Sequence, residues 1–158
     1  MRLKMRLAIA MGLVALSVPA LGQSTGKAQV FSSSDIHVQM AQLTEQAKAK
    51  GSSGATLGSY GSHAIQLSAR TASGGAEIHA HFDDVMLVTE GSATLVTGGT
   101  VVDGHTNSDG ETRGTRIQDG VSQTVSAGDV IHVPAGTPHQ LLISPGTPYS
   151  ALVIKVKE

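Results

Sequence analysis

The sequence predicts an all-β protein, a sandwich or barrel of many short strands with one helix near the amino-terminal end. From Ser52 onward no helical period is present. Short runs rich in β-branched residues alternate there with turn signals built from Gly, Pro, Asp and Ser. Strands at this spacing are typical of a closed or double-layered sheet. The chain has 158 residues, 40% of them hydrophobic and 15% charged, which suits one domain with its own core.

The first segment has the features of a secretory signal peptide. A basic start precedes an uncharged, mostly apolar run that continues to Gly22 and ends in small residues. A transmembrane anchor is the alternative, but it needs about 20 apolar residues, more than this run contains. Residues 1–22 are therefore predicted to be removed before Gln23, which makes the mature protein periplasmic or secreted, with no membrane association after cleavage.

Residues 23–51 are predicted to form a loose leader followed by a helix from Asp35 to Lys50. Ser34 is expected to cap its first turn, and Gly51 to follow its last turn. Apolar residues at helical spacing define one face of this helix: Ile36, Met40, Leu43 and Ala47. We interpret this face as packing against a sheet, and a helix that binds a partner is the alternative.

Residues 52–158 are predicted to form the barrel. The β-rich runs are His63–Arg70, Glu77–Phe82, Val85–Thr89, Ala93–Val96, Thr115–Gln118, Val121–Val125, Val130–Val133, His139–Ile143 and Tyr149–Val156. The polar, glycine-rich stretch from Asp103 to Gly114 is predicted to be a long hairpin loop.

The composition excludes several classes of function. The chain has no cysteine, which excludes a disulfide scaffold, a thiolate metal site and a cysteine nucleophile. A formal net charge of -1 without a basic block argues against nucleic acid as a partner. Aromatic residues make up 3% of the chain and Trp is absent, so a stacking platform for bases is not expected.

Histidine pairs are the strongest chemical signal. His79 and His81 are two residues apart, so on an extended strand they face the same side with Cα atoms about 6.5–7 Å apart. Two imidazoles at that spacing can converge on one divalent ion. A structural or exposed role is the alternative for any single histidine, and it suits His37 and His105. By the same period, Glu77 shares the face of the pair.

Two aspartates follow this pair at once. Asp83 and Asp84 are adjacent, and adjacent strand residues face opposite sides, so at most one is expected to join the histidines. The other would belong to a polar turn between strands. A carboxylate beside two imidazoles would give a facial ligand set for a divalent ion.

A second cluster runs from Gly128 to His139. Pro134 and Gly136 impose a sharp reversal after a strand, and this reversal fixes the direction of the histidine that opens the next strand. A ligand from a second strand requires such fixed placement.

Two residues are candidates for acid–base catalysis, Glu77 and His132. His132 lies in the strand before the Pro-x-Gly reversal, and facing inward it would serve as a general base. Facing outward it would be a surface residue. Ile131 and Val133 are both apolar and share the opposite face, which slightly favours the outward orientation.

The two clusters resemble the motifs of the cupin superfamily, Gly-x5-His-x-His-x(3,4)-Glu-x6-Gly followed by Gly-x5-Pro-x-Gly-x2-His-x3-Asn. The second motif is matched at the expected spacings by Gly128, Pro134, Gly136 and His139. Its final Asn position is occupied by Ile143.

The first motif is matched with two departures. His79, His81 and Gly91 stand at its His and final Gly positions. Gly74 lies one residue closer to the first histidine than the pattern asks. Asp84 occupies the Glu position, after a link shortened to two residues.

The resemblance implies a cupin double-stranded β-helix, a small jelly-roll barrel, with one divalent metal ion near its mouth. It carries the metal ligands onto His79, His81 and His139, with Asp84 as the fourth. Mn, Fe, Zn, Cu and Ni all suit such ligands, and the sequence does not choose among them. A cupin that has kept the fold and lost its metal is the alternative.

A metal ion held by imidazoles with an open position acts as a Lewis acid on a small oxygenated ligand. The resemblance therefore implies an exported metal-binding cupin, whose enzymatic interpretation is isomerase, lyase or oxygenase chemistry. A non-catalytic module that binds a small molecule or a metal is the alternative, and the residues leave open whether the protein is an enzyme. A homodimer is also compatible with the resemblance.

Few basic side chains are expected at the site. No arginine lies close to either motif to hold a phosphate or carboxylate. Arg113 and Arg116 flank the long loop and could reach into the site, but a solvated hairpin is the expected role.

Overall fold

A computed structural model describes residues 26–158 of the chain, so the predicted signal peptide lies outside the described residues. Within this range the chain forms one helix, α1 (Ser33–Lys50), followed by strands. The strands are β1 (Ser52–Ser59), β2 (His63–Arg70), β3 (Ala76–His79), β4 (Phe82–Glu90), β5 (Ser92–Thr97), β6 (Thr100–Val102), β7 (His105–Thr106), β8 (Glu111–Gly114), β9 (Arg116–Gln118), β10 (Val121–Ser126), β11 (Val130–Val133), β12 (His139–Leu142) and β13 (Tyr149–Lys157). No helix in the described range combines the length and apolar character needed to span a bilayer.

The strands form two main antiparallel sheets. The first has five strands in the order β1-β2-β13-β4-β11, and the second has six in the order β10-β5-β12-β3-β8-β7. A small ribbon pairs β6 with β9. The predicted all-β architecture with one helix is therefore confirmed.

The main core lies between the two sheets. Alternate residues of each strand point inward, because successive side chains of a strand face opposite sides. The first sheet contributes Met86, Val88, Ile131, Val133, Tyr149, Ala151 and Val153. The second contributes Ala93, Leu95, Val125 and, just beyond β12, Ile143.

A second core lies between α1 and the outer face of the five-stranded sheet. Met40, Leu43 and Ala47 of the helix pack there with Leu67 and Ala69 of β2. The predicted apolar face of the helix is confirmed. Because β2 is covered on this side, its alternate residues are free to line the barrel interior.

The helix begins two residues earlier than the sequence predicted. Ser32, and not Ser34, is the capping residue, since its Oγ accepts a hydrogen bond from the backbone N–H of Asp35 at 3.1 Å. Gly51 ends the helix as predicted: it has a positive φ of 83°, and its N–H donates to the carbonyl oxygen of Ala47.

Two segments for which the sequence predicted no strand contain strands. β1 is rich in Ser and Gly, which have low β propensity, but it pairs with β2 along its length and is covered by α1. The segment from Asp103 to Gly114 contains β7 and β8, and β8 extends the six-stranded sheet by pairing with β3. Tertiary pairing overrides local composition in both segments. The second segment matters for the predicted metal site because β8 lies directly beside β3, the strand that carries Glu77 and His79.

Gly91, which joins β4 to β5, is required by a close backbone approach. It has a φ of +76°, and a Cβ built on it would lie 1.9 Å from the carbonyl oxygen of Pro148. Gly98 has a similar φ of +71° but open space around it. Substituting Gly98 would therefore measure the cost of the left-handed conformation alone, and substituting Gly91 would add the cost of the steric overlap.

We expect Gly91→Ala to lower the free energy of unfolding by about 2–5 kcal/mol, since left-handed strain and steric overlap add. The matched variant Gly98→Ala should lose only about 1–2 kcal/mol, from the backbone strain alone. Denaturant unfolding of both variants measures the difference. Equal losses would contradict the role assigned to Pro148.

Candidate metal centre

Three side chains of the six-stranded sheet meet inside the barrel. Glu77 and His79 alternate on β3 and so face the same side. The neighbouring β12 begins at His139, which lies opposite Glu77 in the strand pairing. One ligand atom from each of the three residues lies within 4.8 Å of the other two. These three residues form a group that could hold a metal ion.

Asp84 approaches the same point from the five-stranded sheet. It lies on β4, and its side chain is 8% exposed. Its Oδ2 is 3.4 Å from Nε2 of His79 and 3.8 Å from Nε2 of His139. The four-residue group, Glu77, His79, Asp84 and His139, therefore joins the two sheets.

Each imidazole is oriented by a hydrogen bond at its Nδ1. Nδ1 of His139 lies 3.0 Å from the carbonyl oxygen of Thr137, which can only accept, so this nitrogen carries the proton. Nδ1 of His79 lies 2.5 Å from Oε2 of Glu111 on β8, and it donates to that carboxylate. In a neutral imidazole the remaining Nε2 then carries the lone pair. Each Nε2 thus faces the group. In the neutral imidazole it offers a ligand lone pair, as metal-binding histidines do, and in the protonated form of His79 it donates to Oδ2 of Asp84.

Two basic side chains balance the acidic ones. Nζ of Lys155 lies 2.6 Å from Oδ1 of Asp84, which leaves Oδ2 directed at the histidines. Arg113, on β8, forms an ion pair with Glu77. The hairpin formed by β7 and β8 therefore contributes two contacts to the site, one through Arg113 and one through Glu111.

These contacts determine the charge state of the buried groups. Burial raises the pKa of Asp84, but hydrogen bonds with His79 and Lys155 outweigh it and leave the pKa lowered. Burial lowers the pKa of His139 and is the main cause of its net decrease. Burial also opposes the charged form of His79, yet hydrogen bonds with Asp84 and Glu111 raise its pKa overall. At neutral pH Asp84 is a carboxylate and His139 a neutral imidazole.

The distances around Nε2 of His79 match those expected around a divalent ion. Ligand atoms that each lie about 2.0–2.2 Å from an ion are themselves about 2.8–3.6 Å apart. Nε2 of His79 is 3.6 Å from Oε2 of Glu77 and 3.4 Å from Oδ2 of Asp84, close to that range. Imidazole nitrogen with carboxylate oxygen suits manganese, iron, nickel, copper and zinc.

The structure does not place His81 in the four-residue group. β3 ends at His79, and the backbone bends at the next two residues. The side chain of His81 is exposed and lies beside Gly110 in the β7–β8 turn. Alternation of faces holds only within a strand, so the end of β3 separates the two histidines of the His-x-His pair.

The structure favours an alignment of the first motif that begins two residues earlier in the sequence, because Glu77 and His79 are the residues of β3 that lie in the group. Glu77 takes the first His position and His79 the second. Four residues then separate His79 from Asp84, and six separate Asp84 from Gly91, as the motif requires. This alignment no longer needs the two-residue link between His81 and Asp84, although the initial Gly position now falls on Thr71. This spacing was the signal that could have identified Glu77 as a ligand-type residue from the sequence.

His132 lies on the outer face of the five-stranded sheet and not in the group. Its side chain is 56% exposed, and its Nε2 lies 2.9 Å from Oδ2 of Asp83. The other oxygen of Asp83 accepts a hydrogen bond from the backbone N–H of Ala135 at 2.7 Å. The hydrogen bond with His132 is the main cause that lowers the pKa of Asp83. Asp83 therefore fixes the reversal after β11 from outside the barrel.

A cavity of about 130 Å³ extends from the four-residue group into the barrel. In the strand register, Lys155 lies opposite Asp84 at one end of β13, and Tyr149 lies opposite Arg70 towards the other end. Both pairs of residues line the cavity, with Met86 between them on β4. The sequence showed no arginine beside either motif and favoured a solvated hairpin for Arg113, but two arginines approach the site. Arg113 pairs with Glu77, and Arg70 lines the cavity because its place on β2 turns it inward.

Comparisons with known proteins identify the fold. No family model and no curated protein matches this sequence. An uncharacterized conserved protein with a double-stranded β-helix domain from Klebsiella pneumoniae is 13% identical over 82% of this chain and 90% of that chain, with a TM-score of 0.56. The Cnp3 cupin domain of Schizosaccharomyces pombe is 11% identical over 68% of this chain and 65% of that chain, with a TM-score of 0.51.

The polyketide cyclase RemF from Streptomyces resistomycificus is 19% identical over 69% of this chain and 67% of that chain, with a TM-score of 0.50. The described chain thus spans about two thirds of the cyclase and of the Cnp3 domain. The chain has the cupin jelly-roll fold, and the resemblance seen in its motifs is confirmed at the level of the fold.

We expect Lys155→Met to raise the pKa of Asp84, because it removes both a hydrogen bond and a positive charge from that carboxylate. Carboxyl NMR titration of metal-free protein in chelator measures the shift. The matched control is Lys157→Met, an exposed position two residues further along β13. An Asp84 titration that is identical in both variants would contradict the ion pair.

The lowered pKa also sets the sign of a stability effect. An aspartate has a pKa of about 3.9 when unfolded. The ion pair of Asp84 with Lys155 therefore stabilises the folded protein above that pH. This stabilisation is lost as the pH falls through the lowered pKa that Asp84 has in the folded state.

Proposed function

We propose that this cupin-fold protein binds one divalent metal ion through Glu77, His79, Asp84 and His139, and that the bound ion holds a small oxygenated molecule in the barrel. One observation carries the proposal: ligand-type side chains from both sheets converge, and both histidines direct Nε2 towards the same point. Hydrogen bonds behind each ring maintain that orientation.

The chemistry follows from the kind of ligand set. A divalent ion bound by these residues would supply a Lewis acid that polarises an oxygen atom of the ligand, which suits isomerase, lyase or oxygenase reactions. The chain contributes orientation and burial: His79, Asp84 and His139 are buried between the two sheets, and Lys155 keeps Asp84 ionised. A protein of the same fold is a polyketide cyclase, so the fold is compatible with catalysis.

A non-catalytic binding protein is the second candidate, and a specific observation favours it. Of the two residues proposed for acid–base catalysis, Glu77 belongs to the four-residue group and is paired with Arg113. His132 is paired with Asp83 on the outer face. Saturable binding of a small molecule without turnover in isomerase, lyase and oxygenase assays would support this candidate over the enzyme.

The proposal predicts one metal ion per chain in the full-length protein purified without a histidine tag, measured by elemental analysis. His79→Ala, His139→Ala and Glu77→Gln should each lose most of the metal, because each removes a ligand. His81→Ala is the matched control and should retain it, since His81 lies outside the group.

Two results would overturn this ligand set. Retention of metal by Glu77→Gln together with its loss from His81→Ala would restore the His-x-His pair as the ligands. A wild-type protein that takes up no manganese, iron, zinc, copper or nickel after reloading would leave a cupin fold without a metal site.

We also propose export, supported by the basic and apolar character of residues 1–22. Amino-terminal sequencing of the protein recovered from the periplasm or the medium should begin at Gln23. Cytoplasmic protein that begins at Met1 would contradict export.

A further inference from the structure

Two polar side chains remain unpartnered in the cavity, away from the four-residue group. Arg70 on β2 and Tyr149 on β13 lie opposite each other in the sheet, and both line the cavity. Tyr149 is 1% exposed. Among residues 26–158, neither its hydroxyl nor the buried Nε of Arg70 has a hydrogen-bond partner. Buried polar groups are nearly always satisfied, so these two point to a missing ligand.

The charge of Arg70 is also uncompensated. No carboxylate within residues 26–158 forms an ion pair with it. Lys155, the other basic residue of the cavity, is paired with Asp84. This leaves one free cation at the Tyr149 end of the part of the barrel that the structure describes.

A glycine leaves room for the guanidinium. The Arg70 side chain lies against Gly74, where an added Cβ would be 2.6 Å from Nη1. Gly74 is itself fixed to β12, because its N–H donates to the carbonyl oxygen of Leu141 and its own oxygen accepts from Nε2 of Gln140. The guanidinium therefore packs against a backbone segment that is hydrogen-bonded to β12.

We propose that Arg70 and Tyr149 form a subsite for the carboxylate group of the small molecule that the barrel holds. A guanidinium donates two parallel N–H groups to a carboxylate, and the tyrosine hydroxyl supplies a third donor. The opposite end of the cavity is rich in carboxylates, so a ligand anion is attracted to the Arg70 end and repelled from the other.

The distance between Gly74 and Glu77 limits the ligand. Gly74, beside the guanidinium, is three residues from Glu77, and three residues of chain span at most about 10–11 Å. A short-chain carboxylic acid with a second oxygen function would reach from Arg70 to the four-residue group. The contact of this second oxygen function with the four-residue group rests on the proposed function, whereas carboxylate binding at Arg70 does not.

The test is calorimetric titration of the full chain with sodium butyrate, with butyramide as the neutral probe of similar shape, in buffer with and without a chelator. Butyrate should bind at least tenfold more tightly than butyramide under both conditions. Arg70→Met should weaken butyrate binding at least tenfold, and Tyr149→Phe several-fold, because charge-assisted hydrogen bonds are lost. Arg116→Met, at an exposed position, is the matched control and should bind as wild type does.

Thermal unfolding separates a binding role from a structural one. Tyr149→Phe removes only a hydroxyl that has no partner within the described chain, so its unfolding temperature should be unchanged or raised while butyrate affinity falls. A lowered unfolding temperature with unchanged affinity would overturn the assignment.

Three further results would overturn the subsite. Equal affinity for butyrate and butyramide would show that the charge is not recognised. Undiminished binding by Arg70→Met would remove the arginine from the site. Binding abolished by the chelator would place the carboxylate on the metal ion. If instead no metal is found but butyrate binding depends on Arg70, the proposed function fails and this inference stands.

Discussion

Asp84 is a carboxylate enclosed in a β-barrel, where an unpaired charge is strongly unfavourable, and the surrounding structure is arranged to compensate it. Lys155 neutralises one oxygen, and the protonated form of His79 donates from Nε2 to the other. The charge of His79 is balanced in turn, because its Nδ1 donates a hydrogen bond to Glu111 of the β7–β8 hairpin. Charge pairing thus ties both sheets and the hairpin to one point.

The same principle gives the cavity two ends of opposite character. One end concentrates carboxylates and imidazoles that suit a cation, and Arg70 brings an unpaired positive charge to the other. Apolar side chains such as Met86 separate them and keep the local dielectric low, which strengthens electrostatic contacts at both ends. A ligand with one anionic group would therefore bind in one direction only.

Much of the fold was predictable because it depends on local patterns. β2 and β11 were predicted with the bounds that the structure shows, since both have strong β propensity between clear turns. The Ser- and Gly-rich β1 was missed because its strand conformation depends on pairing with β2 and on cover from α1. The same holds for β8, which is a strand because it lies beside β3.

The sequence by itself determined the fold class, the amphipathic helix and the presence of His79, Asp84 and His139 at cupin-like spacing. Only the tertiary structure decided which neighbours join them. β3 ends at His79, so Glu77 lies in the group and His81 outside it. Arg70 faces the cavity because its strand is covered by the helix on the other side. Such choices depend on where strands end and which face is covered, and these are set by contacts between distant parts of the chain.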